Sequence, residues 1–62
     1  IVHIAAPEHA SVFAQDIPAF AQALMQQFWP GPLTLILPRR PDVAAAAAGG
    51  QSSIGLRMPA HP

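Results

Sequence analysis

Three apolar runs, at residues 1–5, 33–37 and 53–58, set the pattern of the chain. Each is short and rich in β-branched or aliphatic side chains, and the last two are closed by a proline, which is typical of strands. The first run is apolar on both faces of a strand except at His3. This continuity predicts a first strand that is covered on both sides, as in α/β sheets.

Between the first two runs the spacing changes to the period of a helix. Pro7 and Glu8 predict the start of a short first helix, because proline fits the first turn and an acidic side chain is favoured at the positive end of the dipole. This helix is predicted to end near Gln15. Asp16 is then the predicted N-cap of a second helix, with Pro18 tolerated in its first turn.

The second helix has one predicted apolar face. Ile17, Phe20, Leu24 and Phe28 recur every three or four residues, which is the spacing of one helical stripe. Glutamines lie on the opposite side. Pro30 disfavours helical geometry in the residue before it, so we expect the helix to end at about residue 28 or 29.

Residues 39–51 connect the second and third predicted strands. They contain Arg39-Arg40, five alanines at 44–48 and a pair of glycines. The alanines predict a short helix ended by glycine, and Arg39-Arg40 is interpreted as a solvated loop rather than a nucleic-acid patch. The predicted order is therefore β-α-α-β-(α)-β, an α/β or α+β pattern.

Composition excludes several classes of protein. The 62 residues include no cysteine, and basic and acidic residues are equal in number, so disulfides, thiolate metal sites and a basic nucleic-acid footprint are all absent from the sequence. No run has the features of a signal peptide or the ~20 apolar residues of a membrane span. A chain this short buries only about 60% of its unfolded surface. We therefore expect residues 1–62 to be part of a larger, soluble, intracellular domain.

The most specific segment is the run Trp29-Pro30-Gly31-Pro32-Leu33-Thr34. Proline fixes φ, and glycine permits conformations that other residues cannot adopt. The segment is predicted to be a rigid corner between helix and strand, with Trp29 packed beneath it. Pro30, Gly31, Pro32 and Thr34 are assigned a structural role, since none is a nucleophile and the single hydroxyl, on Thr34, is expected to lie in the strand.

Three residues of the last run are candidates for binding an anion. Ser53, Gly55 and Arg57 alternate with apolar residues, so on a strand they point to one face. Arginine presents a fork suited to carboxylate or phosphate, serine can bond a phosphate oxygen, and Gly55 would leave space for a ligand to approach the backbone. On spacing alone, this face is equally well interpreted as a solvated strand surface.

His3 also has two interpretations. A lone imidazole among isoleucine and valine is most often a buried core histidine, whereas His3 and Arg57 could instead converge, from neighbouring strand ends, on one anionic ligand. Sequence spacing does not decide between them.

His9 and His61 are interpreted as structural or solvated, and no catalytic or metal-binding group is assigned, because the sequence shows no paired carboxylates, no Ser-His-Asp order and no phosphate-binding glycine loop.

Three stretches together point to a family. They are Ile1-Val2-His3-Ile4, the phrase FWPGPLTLIL at 28–37 and the phrase SIGLRMPAHP at 53–62. With them the whole chain resembles the YrdC/Sua5 family of threonylcarbamoyl-AMP synthases, as an internal stretch of a longer domain. The resemblance implies a fragment of the twisted α/β sheet of the YrdC-like fold.

The resemblance also implies an activity. Family members combine L-threonine, bicarbonate and ATP and release pyrophosphate, and the product supplies the threonylcarbamoyl group for N6-threonylcarbamoyladenosine at position 37 of tRNAs that read ANN codons. By resemblance, His3 and Arg57 contact L-threonine, and Ser53 stands at the hydroxyl position that contacts ATP. Mg²⁺ is expected without a ligand in these residues, tRNA and the threonylcarbamoyl-transferase complex are expected downstream partners, and the expected location is the cytoplasm.

Much of the family's site lies outside these residues. Its Lys-x-Arg segment is expected before Ile1 and its Ser-x-Asn segment after Pro62, so the 62 residues alone are expected to be inactive. Three other interpretations stay open: the YrdC-like domain of a hydrogenase-maturation carbamoyltransferase, a non-enzymatic relative that binds double-stranded RNA or acts in ribosome maturation, and a structural fragment with no ligand. The neutral charge of this stretch argues mildly against the second.

Overall fold

A computed structural model describes residues 1–42 and 49–60 and shows a mixed α/β arrangement. Its elements in chain order are strand β1 (Val2–His3), a 3-10 turn (Pro7–His9), helices α1 (Ala10–Phe13) and α2 (Ala19–Phe28), and strands β2 (Thr34–Pro38) and β3 (Ser53–Arg57). The helix predicted over the alanine run and the assignment of His61 lie outside the described residues. The predicted alternation of strands and helices is otherwise confirmed, with shifted boundaries.

The last strand is the centre of the sheet. The order is β1-β3-β2, and β3 pairs in parallel with β1 and antiparallel with β2. The register places Leu56 between Val2 and Leu35, and Arg57 between His3 and Thr34. Because directly opposed residues point to the same side of a sheet, this register decides which side chains meet.

One face of the sheet forms the core. The buried strand residues are Leu35, Leu37, Ile54 and Leu56, in phase on the two strands. They belong to one apolar cluster that also includes Ile4, Ala10, Ala14, Ala21, Met25 and Trp29. Leu56, on the central strand, has no exposed surface. The other face is left uncovered by the described residues: Ile36 is 67% exposed.

The first strand departs from its prediction. It spans only two residues, and Ile1 and His3 are exposed whereas Ile4 is buried. A strand covered on both faces was therefore the wrong expectation for the described residues. The β-branched side chains did identify the strand, but they did not reveal that only one of its faces meets the helices.

The first helix ends earlier than predicted. Ala14 is extended, with φ −111° and ψ 151°, and forms an isolated antiparallel bridge with Arg39. The next residue, Gln15, donates its backbone N–H to the carbonyl of Pro38 at 2.9 Å. The chain leaves the helix at Phe13 because its backbone groups pair with the end of β2 instead.

The start of α2 is also corrected. Pro18, in an extended conformation, is the N-cap residue, and Asp16 makes no capping hydrogen bond. Asp16 instead has a φ of +54°, in the left-handed region that aspartate tolerates better than most residues. It turns the chain between the two helices. The predicted end at Phe28 is confirmed.

The buried face of α2 is rotated from the predicted stripe. Phe20 and Phe28 are 68% and 49% exposed, whereas Ala21, Met25 and the following Trp29 are buried. The side chain of Trp29 gives a physical reason. A buried indole N–H needs an acceptor, and the Nε1 of Trp29 donates to the carbonyl of Leu33 at 2.9 Å, which anchors the end of the helix with that stripe inward.

Neither described helix reaches the length and apolar character that a bilayer crossing would need.

Candidate functional site

The uncovered face of the sheet carries the candidate residues. We call it the open face, and it comprises His3, Thr34, Ile36, Ser53, Gly55 and Arg57. The predicted alternation along β3 is confirmed, since Ile54 and Leu56 are buried and the three residues around them are half-buried. The face thus presents one row of three polar side chains across the sheet: His3, Arg57 and Thr34.

Arg57 occupies the centre of this row. Its backbone carbonyl accepts a 2.9 Å hydrogen bond from the N–H of Ile4, which fixes β3 against β1. Its side chain is half-buried, and its Nε is buried without a hydrogen-bond partner among the described residues. A buried donor without a partner costs about 1–3 kcal/mol, and more for a charged group. An acceptor that reached this atom, once the side chain moved to admit it, would remove that cost.

The ligand that this arginine fits is an anion. A guanidinium group binds carboxylate or phosphate through two parallel hydrogen bonds. None of the three acidic residues of the sequence lies on a strand, so the open face presents a cation and no carboxylate. This arrangement is compatible with the anion-binding interpretation of β3, which stays a prediction.

His3 lies beside Arg57 and not in the core. It is exposed, and the register makes it the direct neighbour of Arg57 on β1. Among the described residues His3 is therefore not a buried core histidine, and its predicted position beside Arg57 is confirmed, whereas the convergence of the two side chains on one ligand stays a prediction. The imidazole places a second nitrogen-bearing side chain at the edge of this row.

Ser53 stands at the other end of β3. It is half-buried and faces Pro38 on β2. It lies four positions before Arg57, which corresponds to about 13 Å along an extended strand. The two side chains would therefore contact either one long ligand or two ligands that lie end to end.

Gly55, between them, does not leave the open space that its lack of a side chain suggested. A Cβ atom on it would lie 3.2 Å from Cδ1 of Ile36, 3.4 Å from Cγ1 of Ile1 and 3.5 Å from Cγ2 of Thr34. The side chains of Ile36, Ile1 and Thr34 pack around the glycine and form an apolar surface between Ser53 and Arg57, which we call the apolar shelf. A ligand on the open face would rest on this shelf rather than on the backbone.

The predicted corner between α2 and β2, residues 29–34, lies next to the row formed by His3, Arg57 and Thr34. Trp29 is buried beneath it and precedes a cis peptide bond to Pro30. A Cβ on Gly31 would lie 2.6 Å from the carbonyl oxygen of Phe28, so no side chain fits there. The N–H of Gly31 donates at 2.8 Å to the carbonyl of Met58, next to Arg57. The corner therefore joins α2, β2 and the end of β3.

The arginine pair after β2 lies in a largely exposed segment, as predicted, with Arg40 exposed and Arg39 half-buried. Arg39 donates from Nε to the carbonyl of Gln51 at 2.7 Å, and Arg40 donates from Nε to the carbonyl of Ser11 at 2.6 Å. Both side chains thus tie backbone segments together. Sequence reasoning missed this role, since nothing in the dipeptide indicates which carbonyls lie within reach.

The described helices enclose one further concave site. A groove of about 300 Å³ lies between the 3-10 turn and α2, and its lining includes Glu8, Ser11, Ile17, Gln22 and Met25. None of these residues belongs to the open face.

His9, on the 3-10 turn, is exposed as predicted. Among residues 1–42 and 49–60 no group of three or more histidine, aspartate and glutamate side chains could hold a metal ion.

Comparison with known proteins identifies relatives over the whole length. The model of the Sua5/YciO/YrdC family, described as "Telomere recombination", matches residues 1–62. A threonylcarbamoyl-AMP synthase of Pyrococcus abyssi is 48% identical over 98% of the chain. The enzyme of the same name from Bacillus subtilis is 43% identical over 100% of the chain.

A solved structure agrees with the fold. The crystal structure of Pyrococcus abyssi Sua5 complexed with L-threonine superimposes with a TM-score of 0.88 at 47% identity, over 95% of this chain. The chain spans only 18% of the length of each of the two curated relatives and 17% of the chain in that crystal structure.

Proposed function

The chain belongs to the Sua5/YciO/YrdC family, and from this premise we propose that it forms part of the substrate site of a threonylcarbamoyl-AMP synthase. Such an enzyme joins L-threonine, bicarbonate and ATP. The amine of threonine forms a carbamate with bicarbonate and releases water. A carbamate oxygen then attacks the α-phosphorus of ATP, and pyrophosphate leaves with the electron pair of the broken bond.

The observation that carries the proposal is the guanidinium of Arg57 on the open face, whose buried Nε has no hydrogen-bond partner among the described residues. L-threonine has a carboxylate, and a guanidinium fork binds a carboxylate through two parallel hydrogen bonds. His3, on the neighbouring strand, supplies another donor to the same end of the ligand. The relative whose fold matches was crystallised with L-threonine, which supports this choice of anion.

Ser53 is proposed to contact ATP. Its hydroxyl can donate to a phosphate oxygen, and its distance from Arg57, about 13 Å along the strand, leaves room for two substrates that react between them. These residues contribute by positioning: they hold the carbamate oxygen close to the α-phosphorus and in line for attack. No residue of the chain is assigned a proton transfer.

Several implied partners stay predictions. Mg²⁺ has no assigned ligand, since the described residues contain no cluster that could hold it, and no step is derived through it. The tRNA, the threonylcarbamoyl-transferase complex and a cytoplasmic location likewise stay predictions, as does the inactivity of the isolated 62 residues. A role in RNA binding finds no support in the one dibasic pair, because Arg39 and Arg40 bind backbone carbonyls.

The test uses the full-length protein that contains this chain. Pyrophosphate release is measured with ATP, bicarbonate and varied L-threonine, for the wild type and for Arg57→Met, which keeps an apolar stem but no charge. Loss of a hydrogen bond to a charged partner costs about 1.5–3 kcal/mol, so the KM for L-threonine should rise by about tenfold to a hundredfold. Release that does not depend on L-threonine would overturn the proposal.

Arg40→Met is the matched control. This arginine is bound to the carbonyl of Ser11 and does not belong to the open face. Its replacement removes the same charge from the chain, so any general electrostatic effect should appear in both variants. We expect its KM for L-threonine to equal that of the wild type, and an equal loss in both variants would contradict the role of Arg57.

A further inference from the structure

Thr34 shares the row of Arg57 although the sequence assigned it only to the structural corner. It is the first residue of β2 and the Cα partner of Arg57, on the side opposite His3. It is half-buried, and its hydroxyl takes part in no hydrogen bond within the described residues. The corner itself is held by Trp29 and Gly31, through the indole and the backbone, without this hydroxyl.

The two branches of the Thr34 side chain have different surroundings. Its Cγ2 methyl lies 3.5 Å from the position that a Cβ on Gly55 would take, so the methyl is part of the apolar shelf. The hydroxyl diverges from the same carbon and is not the branch that covers Gly55. A threonine on a strand thus supplies packing through one branch and a free polar group through the other.

We propose that Thr34 binds the substrate, by donating its hydroxyl to the same carboxylate that Arg57 holds. This inference rests on the proposed function and adds a residue to it. An ionised carboxylate has two oxygens and about four acceptor sites, of which an arginine fork occupies two. The register places His3 and Thr34 on the strands on either side of β3, opposite Arg57 and about 4.8 Å from its strand.

A pair of substitutions separates the hydroxyl from the methyl. Thr34→Val keeps the β-branched shape and removes the hydroxyl, whereas Thr34→Ser keeps the hydroxyl and removes the methyl. In the full-length protein, binding of L-threonine is measured by isothermal titration calorimetry. We expect T34V to weaken binding by about tenfold or more, because a hydrogen bond to a charged group is lost, and T34S to bind within about threefold of the wild type.

The outcomes separate this inference from the proposed function. If the wild type binds L-threonine and T34V binds equally well, Thr34 is only structural and the inference is overturned while the function stands. The inference is likewise overturned if T34S is the weaker variant, since the methyl would then be the important branch. If the wild type itself does not bind L-threonine, both fail. Circular dichroism monitors folding, and should T34V not fold, Thr34→Ala tests the same loss of the hydroxyl.

Discussion

The backbone N–H of Gly31 donates a 2.8 Å hydrogen bond to the carbonyl of Met58. This bond ties the Pro-Gly-Pro corner to the residue that follows Arg57. The same corner leads directly into Thr34, the cross-strand partner of Arg57. This backbone contact therefore adds to the β2–β3 ladder in fixing two neighbouring side chains of the proposed anion site, without contributing an atom to it.

Gly31→Ala is expected to destabilise the full-length protein. The new Cβ would lie 2.6 Å from the carbonyl oxygen of Phe28, so the corner or the end of α2 must move. Forcing extra atoms into a well-packed site costs about 1–3 kcal/mol. The free energy of unfolding, from urea denaturation, should fall by this amount, and the KM for L-threonine should rise because Thr34 and the end of β3 move with the corner.

Gly50→Asn provides the comparison for this variant. Gly50 has a φ of +79° and no atom within 4 Å of a would-be Cβ. Asparagine tolerates the left-handed region better than most residues, so stability should change little and the KM for L-threonine should not change. Equal losses from the two substitutions would show that glycine content, rather than the contact with Phe28, controls the corner.

Ser53→Ala should affect ATP and not L-threonine. The serine and Arg57 stand at opposite ends of β3, so removing its hydroxyl leaves the proposed carboxylate site intact. With a hydrogen bond to a charged phosphate lost, we expect the KM for ATP to rise about tenfold or more while the KM for L-threonine stays constant. Ser53→Thr keeps the hydroxyl and should restore the wild-type value. A rise in both constants would contradict the division of the strand into two binding ends.

Two apolar substitutions test which face of the sheet is core. Leu56→Ala removes a side chain with no exposed surface and should lower the free energy of unfolding by about 2–5 kcal/mol. Ile36→Ala removes one that is 67% exposed and should change it by about 0.5 kcal/mol or less. Urea denaturation of both variants in the full-length protein measures the difference. A comparable loss for Ile36 would mean that the open face is filled by other parts of the protein and is not a ligand surface.

The strands could be predicted from sequence because their alternation is local. The separation of Ser53, Gly55 and Arg57 from Ile54 and Leu56 follows from the two-residue period alone, and the structure has it so. The helix was harder. Phe20 and Phe28 are the larger apolar side chains, yet Ala21 and Met25 face the core, because the rotation of α2 depends on an anchor, the indole of Trp29, whose acceptor the pattern does not reveal.

The site could be predicted only in part, for a related reason. Arg57 and Ser53 could be predicted as candidates from their spacing on one strand. The neighbours of Arg57 depend on strand order and register, and the order β1-β3-β2 brings His3 and Thr34 to its two sides. A threonine at the start of an apolar run does not indicate which residue of another strand it will face, so Thr34 was assigned to the corner alone.

The parallel pairing of β1 with β3 has a consequence for how the site comes together. Among the described residues, two register pairs and the hydrogen bond from the N–H of Ile4 to the carbonyl of Arg57 join β1 to β3, and residues 4–52 lie between the two strands. Closing so long a loop costs entropy, which so short a ladder offsets only in part. An anion held between His3 and Arg57 would span the closure, and by linkage its binding free energy would favour the closed form. Substrate binding would then stabilise the pairing of the two strands that carry the site.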